Sequence, residues 1–238
     1  MQQYDNTSEN FFHLFQSLSW MRGEQFRRVV SRVEGPDVLD LGCGFTGYYW
    51  AMGYAHKANS ISFYDVVPEN IEALTNYIEM LSPEDVEANF SETIEFLRDE
   101  SIIPANMSAE EIVENLISKT ADIQVFDFLS DQTNQAFDTV MALQAIEIND
   151  TYEEFVQSLN NVKTMLKPGG QFIGIILPYD EVLPITADEI AIRKEGRLNP
   201  KYDDVVKAFK ESDLELSEID TFDTKQYNYR TAIVFRAA

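Results

Sequence analysis

Apolar positions along this chain change period several times, and each change marks an element. Over 8–34 the residues Phe11, Phe12, Leu14, Phe15, Leu18, Trp20, Met21, Phe26, Val29 and Val30 recur at helical spacing. That pattern predicts one or two amphipathic helices. An aliphatic run over 37–41 predicts a first strand, and a helix follows through about Met52. A second strand is expected over 60–64. Pro68 then opens a helix at its first turn, with Ile71, Leu74, Tyr77 and Ile78 on one side. A third strand ends the run that starts at Ala121, and a fourth is expected over 137–142. A helix over 151–166 and a strand over 171–177 come next. The last third predicts a helix over 200–211 and strands over 214–222 and 228–236. Alternation in Tyr229-Arg230-Thr231-Ala232-Ile233-Val234-Phe235 supports the final strand.

Two segments interrupt this rhythm. Residues 81–120 contain ten acids and two bases. Ser82-Pro83-Glu84-Asp85 and Ser108-Ala109-Glu110-Glu111 read as helix starts, each with a serine cap and acids in the first turn. Two helices are therefore expected, near 83–99 and 108–119. They read as a solvated cover, with a lid or a subunit contact as the sharper alternative. The second interruption, 178–213, carries Pro184 and Pro200. No internal repeat or flexible linker is visible. The chain reads as one domain, 1–238, with an N-terminal helical cap over 1–35 and insertions at 81–120 and 178–213.

Composition narrows the class. With 238 residues and 45% apolar content the chain can bury a sizeable core. Its apolar runs are too short for a membrane span, and its start has neither a basic region nor an apolar core. A cytoplasmic protein is expected. The single Cys43 excludes an internal disulfide and a cysteine-based zinc cluster. It reads as a small residue tolerated in a turn, with a reactive thiol as the alternative. The 41 acids against 18 bases give a net charge of −23. Such a surface repels phosphate backbones and anionic membranes. One local exception, Arg22, Arg27, Arg28 and Arg32, falls on an early helix and reads as a charged, solvated face.

The most informative stretch is VLDLGCGFTG over 38–47. A buried strand runs into Gly42, Gly44 and Gly47, and a helix starts just after them. Glycine suits such a turn because positive φ is cheap for it and because a side chain would keep the backbone from a ligand. Asp65, closing the second strand, lies about 20 residues on, where an acid can hold the two ribose hydroxyls of a nucleoside. The spacing Gly42-x-Gly44-x-x-Gly47 also satisfies a nicotinamide-dinucleotide motif, so this turn alone does not decide between ligands.

Later segments do. Asp40 to Gly47 resembles the first motif of class I S-adenosylmethionine (SAM) dependent methyltransferases, with the last glycine one residue further on. Ala121 to Phe128 resembles that family's third strand, ending in an acid and an aromatic. Phe137-Asp138-Thr139-Val140 resembles its fourth motif, and Leu166-Lys167-Pro168-Gly169-Gly170 resembles the turn before its fifth strand. In that turn the helix is expected to end at Leu166-Lys167, with Pro168 blocking its continuation. The resemblance covers 38–177 and resumes weakly at the C-terminus. It implies an α/β fold: a Rossmann-like, doubly wound, seven-stranded sheet, mostly parallel with the last strand antiparallel. It also implies a methyltransferase that uses SAM and releases S-adenosylhomocysteine.

Carried over residue by residue, the resemblance implies a cofactor site of Asp40, Gly42, Cys43, Gly44, Gly47, Asp65, Val66, Asp127, Phe128, Leu143 and Gln144. Asp65 would hold the ribose, Asp127 and Phe128 the adenine, and Leu143 and Gln144 would lie near the methyl group. The acceptor is expected among the N-terminal helices, the loop after strand four and the insertion after strand five. Tyr4, Phe12, Trp20, Tyr179 and Asp180 are candidates there, although Phe12 and Trp20 also read as core. Aromatic faces with carboxylates suit an amine. Glu147 and His13 are the candidate catalytic groups. Where many members carry Leu-Glu-His, this chain has Ile146-Glu147-Ile148, so the histidine is missing and Glu147 remains. No matching acid set points to a metal.

Three functions stay open: methyl transfer to a small molecule, including an amine; methyl transfer to a basic protein or peptide; and SAM binding without transfer. A dinucleotide oxidoreductase is a distant fourth. No nucleic-acid or membrane partner is expected, and the chain reads as a monomer or homodimer.

Overall fold

The computed structural model describes residues 18–178, 198–226 and 229–238. The side chains of 225, 226, 229 and 230 are left aside. Four parallel strands come first: β1 (Asp37–Leu41), β2 (Ser60–Asp65), β3 (Thr120–Val125) and β4 (Phe137–Leu143). Next are β5 (Leu166–Ile176), β6 (Leu216–Gln226) and β7 (Tyr229–Ala237). They form one sheet in the order β3-β2-β1-β4-β5-β7-β6, with β7 antiparallel to both of its neighbours. The chain leaves β1 towards β2 on one side and returns to β4 on the other. The crevice between the C-terminal ends of β1 and β4 is thus the topological switch point, where such sheets bind ligands.

Strand side chains alternate between two apolar layers. Val38, Ile61, Phe63, Met141 and Ile173 face one layer, and Leu39, Tyr64, Val140, Ala142 and Phe172 face the other. The first layer is closed by α1 (Trp20–Arg28), α2 (Gly47–Ala51), α3 (Pro68–Met80), α4 (Pro83–Asp99) and α5 (Ala109–Lys119). The second is closed by α6 (Tyr152–Thr164) and α7 (Tyr202–Glu211).

The acidic insertion is the two helices α4 and α5, and Ser82 and Ser108 cap them as the sequence suggests. Ser108 and Glu111 complete a reciprocal capping box. These helices are more than a cover. Val86, Phe90, Ile94, Leu97, Ile112, Val113 and Leu116 are buried in the first layer. Phe90 lies against Tyr48 and Tyr49 with ring centroids 6.1 and 5.9 Å away. The insertion therefore supplies core to the helix that follows the glycine turn.

The turn before β5 differs from expectation. Helix α6 ends at Thr164, and Leu166 already pairs with Phe137. The register then jumps so that Gln171 pairs with Thr139, leaving Pro168, Gly169 and Gly170 as a bulge within the strand. Lys167 is held beside this bulge by Asp37 and by Asp138 at 2.9 Å. That anchor sits at the end of the sheet opposite the crevice.

The arginine face is not free. Arg27 pairs with Glu24 and Glu100, Arg28 with Glu24 and Asp220, and Arg32 with Glu218. Arg27 also lies over Phe96 and Arg28 over Phe222. These contacts tie α1 to α4 on one side and to β6 on the other. Trp20, expected in the core, is instead 46% exposed, and its indole N–H donates to the Asp223 carbonyl at 3.2 Å.

Because Phe90 is fully buried, Phe90→Ala should cost about 3–5 kcal/mol in urea unfolding. A cost below about 1 kcal/mol would mean that α4 is an independent cover.

Candidate active site

Strand β1 delivers Asp40 and Leu41 to the crevice, and the glycine turn begins there. Gly42 and Cys43 both donate their N–H groups to the Tyr64 carbonyl, at 2.7 and 3.1 Å. The turn is thereby fastened to the end of β2. Gly42 has φ +68°, and a Cβ on it would lie 2.2 Å from the Ala145 Cβ. Gly44 has φ +56°, and a Cβ there would meet only the Thr46 hydroxyl, at 3.9 Å. Gly47 serves packing: its Cβ would come within 2.7 Å of the Phe63 ring, and it is not among the residues lining the crevice.

Asp65 fastens the glycine turn to the segment after β2. Its carboxylate accepts from the Gly44 N–H at 2.8 Å, the Val67 N–H at 2.9 Å and the Asn70 amide at 3.0 Å. Beyond it Val66 is 53% exposed and Val125, at the end of β3, is 48% exposed. Asp127 accepts from the Leu129 N–H at 2.9 Å and the Ser130 hydroxyl at 3.0 Å, closing a turn after β3. Phe128 points into the second core layer.

On the β4 side, Leu143 and Gln144 reach the crevice. Gln144 has φ +62°, a left-handed conformation that costs a non-glycine residue about 1 kcal/mol. Its N–H donates to the Ile175 carbonyl at 3.0 Å, which holds the turn in place. Three residues on, Glu147 accepts from the Leu177 N–H at 3.1 Å through Oε1. Its Oε2 is shielded from solvent and has no partner among the described residues. Burial pushes this carboxyl up to about 7.

Between the ends of β1 and β4 lies a cavity of about 320 Å³, and Asp65, Val66, Asp127, Phe128 and Glu147 are not among the residues that line it. Asp40, Gly42, Cys43, Gly44, Leu143 and Gln144, all expected from the sequence, line it. So do Ser19, Met21, Arg22 and Gln25 of α1 and its cap, with Thr46 and Trp50, which the sequence reading missed. The signal for Gln25 was a polar residue on the apolar stripe of Leu18, Met21 and Val29. Asp40 is buried with Oδ2 unpartnered among the described residues, and burial, then the charge of Asp65, raise its carboxyl well above the usual range. Burial and the same two acids raise the Cys43 thiol, so it is no thiolate nucleophile. Trp20 is not brought into this lining. Tyr4, Phe12, His13, Tyr179 and Asp180 lie outside the described residues. Among the described residues no three acids, histidines or cysteines are grouped to hold a metal, and no helix is long and apolar enough to cross a membrane.

Two glycine variants separate ligand contact from backbone strain. Gly42→Ala should lose at least about 2 kcal/mol of stability from overpacking and strain, and tenfold or more in affinity for S-adenosylhomocysteine. Gly169→Ala, at φ +79° with nothing within 4 Å, should cost about 1 kcal/mol with affinity unchanged. Calorimetric titration beside urea melts checks both.

Comparisons with known proteins agree with this geometry. The profile of the NNMT/PNMT/TEMT family matches residues 10–234. No curated protein matches in sequence. Among solved structures the chain is similar to the N-methyltransferase NodS from Bradyrhizobium japonicum WM9 in complex with S-adenosylhomocysteine. That likeness has 14% identity and a TM-score of 0.59, over 98% of each chain. It is similar to the glycopeptide N-methyltransferase MtfA, at 12% identity and a TM-score of 0.59 over 98% of each chain. A SAM-dependent methyltransferase from Clostridium acetobutylicum ATCC 824 gives 14% identity and a TM-score of 0.56, over 96% of this chain and 97% of its own. A doubly wound sheet whose glycine turn, ribose-spaced acid and β4 tip meet at one switch point, together with a family profile spanning nearly the whole chain, makes this protein a member of the NNMT/PNMT/TEMT family of SAM-dependent methyltransferases.

Proposed function

We propose that the protein methylates a small-molecule acceptor, an amine nitrogen first among them. The observation that carries this reading is Glu147, a shielded carboxyl with one oxygen anchored on Leu177 and the other unpartnered among the described residues, just past the β4 tip. An amine that arrives as an ammonium must lose a proton before its lone pair can attack, and a carboxylate there can take it. Two of the structural neighbours are N-methyltransferases, which supports the choice of nitrogen.

Bound in the cavity, SAM supplies a methyl group already activated on a sulfonium. The chain's task is to align donor and acceptor and to exclude water. The orphaned Asp40 oxygen and the open side of Gly44 fit a ligand there. In this reading the backbone of Gly42, Cys43 and Gly44 faces the amino-acid and ribose parts. Asp65 takes the ribose hydroxyls, Val66 and Asp127 the adenine, and Leu143 and Gln144 border the methyl group. Phe128 would support the adenine region from the core. Tyr4, Phe12, His13, Tyr179 and the second insertion enter as acceptor candidates on sequence alone, and the net charge of −23 disfavours nucleic acid and anionic membranes as partners. The protein is cytoplasmic in this reading.

A second reading has one observation in its favour. The insertion's acids Glu84, Glu87, Glu95, Asp99, Glu110 and Glu114 are exposed, a surface that suits a basic protein acceptor. Radiolabelled methyl transfer to a panel of amines, phenols and basic proteins decides. Turnover confined to amines upholds the proposal; turnover confined to basic proteins, and lost in high salt, replaces it.

Asp65→Ala should weaken S-adenosylhomocysteine at least tenfold in calorimetry, with NADH as a non-binding control. Glu147→Gln should lower kcat/KM by about a hundredfold or more. With an acceptor that does not itself titrate near neutrality, wild-type kcat/KM should rise through about pH 7 and then level, and the variant should lose that limb. The sign for stability is opposite. A carboxyl that titrates at about 7 when folded and at 4.5 when free keeps an extra proton in the folded state between those values. Stability therefore falls as pH rises through that window. Glu147→Gln should melt higher than wild type at pH 8, and by less at pH 5.

A further inference from the structure

Glu147 stands on a segment with no strand or helix of its own. Between the end of β4 and the Thr151 cap of α6 the chain runs from Gln144 to Asp150 as an irregular turn. Ile148 and Asp150 are exposed, yet Asn149 between them is buried. A buried amide is costly unless its hydrogen bonds are made, and this one is used on both sides. Its Nδ2 donates to the Ile146 carbonyl at 2.7 Å, and its Oδ1 accepts from the Ser158 hydroxyl at 3.1 Å. A carbonyl can only accept, so one orientation of the amide satisfies both contacts. The backbone of Asn149 is used as well. Its N–H donates to the Glu147 carbonyl at 2.9 Å, and its carbonyl accepts from the Leu198 N–H at 2.8 Å. Ile148 closes the same turn by donating to the Ala145 carbonyl at 3.0 Å. Ser158 is fully buried in α6, whose Phe155, Leu159 and Val162 are packed in the second layer.

These bonds refer the position of Glu147 to helix α6 and not to β4 alone. With Oε1 taken by the Leu177 N–H, Oε2 is the oxygen left to receive a proton, and the turn decides where it stands. We infer that Asn149, held by Ser158, is the positioning residue for Glu147: it fixes the turn so that Oε1 stays on Leu177 and Oε2 stays shielded and unpaired. The inference rests on the reading of Glu147 as the proton acceptor and names what holds that group. Neither Asn149 nor Ser158 is among the residues lining the cavity, so each acts through Glu147. A reacting group misplaced by about 1 Å can lose about a hundredfold in rate, which gives a fixed turn its catalytic consequence. Among the described residues, burial raises the Glu147 carboxyl and its own N–H and that of Leu177 ease it; no charged side chain takes part. Loosening the turn therefore admits water and returns the carboxyl towards its ordinary value.

The experiment follows the Glu147 carboxyl directly, with no acceptor present. NMR of the full chain, isotope-labelled at the glutamate carboxyls, is recorded against pH, and the Glu147 resonance is the one missing from Glu147→Gln. In wild type it should titrate at about 7. In Asn149→Ala the midpoint should move down towards 4.5. In Ser158→Ala, where alanine suits the helix and the fold is kept, it should move the same way by less. Unchanged titration of the other glutamates shows that a variant is folded; should Asn149→Ala not fold, Ser158→Ala decides. A midpoint that stays at about 7 in either folded variant overturns the inference and leaves the reading of Glu147 intact. A wild-type midpoint near 4.5 overturns both. With an amine that proves to be a substrate, Asn149→Ala should lower kcat about tenfold or more with KM little changed, and should cost nothing further when added to Glu147→Gln. Losses that simply multiply also overturn the inference, because Asn149 would then serve the fold and not Glu147. The titration is read whether or not any amine turns over.

Discussion

Gly42 lies so close to Ala145 that a single methyl group between them would sit 2.2 Å from its neighbour. This is where the chain after β1 meets the chain after β4, and the cavity exists because the two can approach this far. The consequences spread outward from the contact. The turn must adopt positive φ at Gly42 and Gly44, which frees the Gly44 N–H to reach the Asp65 carboxylate. On the other wall Gln144 is left-handed as well, and its N–H is secured by Ile175. Two strained turns are thus held by hydrogen bonds to the ends of the neighbouring strands, and a preorganised cleft is the result.

Charge is distributed with the same economy of place. The chain carries 18 bases among 41 acids. Three early arginines are committed to Glu100, Glu218 and Asp220, far along the sequence, and dock α1 against the insertion and the edge strand. The fourth, Arg22, lines the cavity. Burial there lowers the Arg22 guanidinium from its ordinary value, partly offset by Tyr49.

Buried acids set the chemistry available. Asp40 and Glu147 are both shielded and both raised, yet their settings differ. Asp40 shares its surroundings with Asp65 and with the turn that faces the ligand. Glu147 is raised by burial alone and eased by the Leu177 N–H. Asp40 is thereby biased towards its neutral form, and Glu147 is the carboxyl suited to accept a proton near neutrality.

Much of this was legible in the sequence because it is local. The strand–glycine–helix succession, Asp65 at the end of the next strand, the serine caps at 82 and 108 and the alternation in the last strand each depend on neighbours a few residues away. The sheet order follows from that succession by the handedness and switch-point rules of doubly wound folds. What the sequence left undecided depends on packing between distant segments. Phe128 turns to the core, Trp20 turns outward to Asp223, and the KPGG turn becomes a bulge because Leu166 finds Phe137. Arg22 and Arg27 stand on the same short helix, and only the placement of α1 over the crevice separates the one that faces the cavity from the one that faces Glu100. Helical periodicity defines a face; which surface that face meets is a property of the tertiary structure alone.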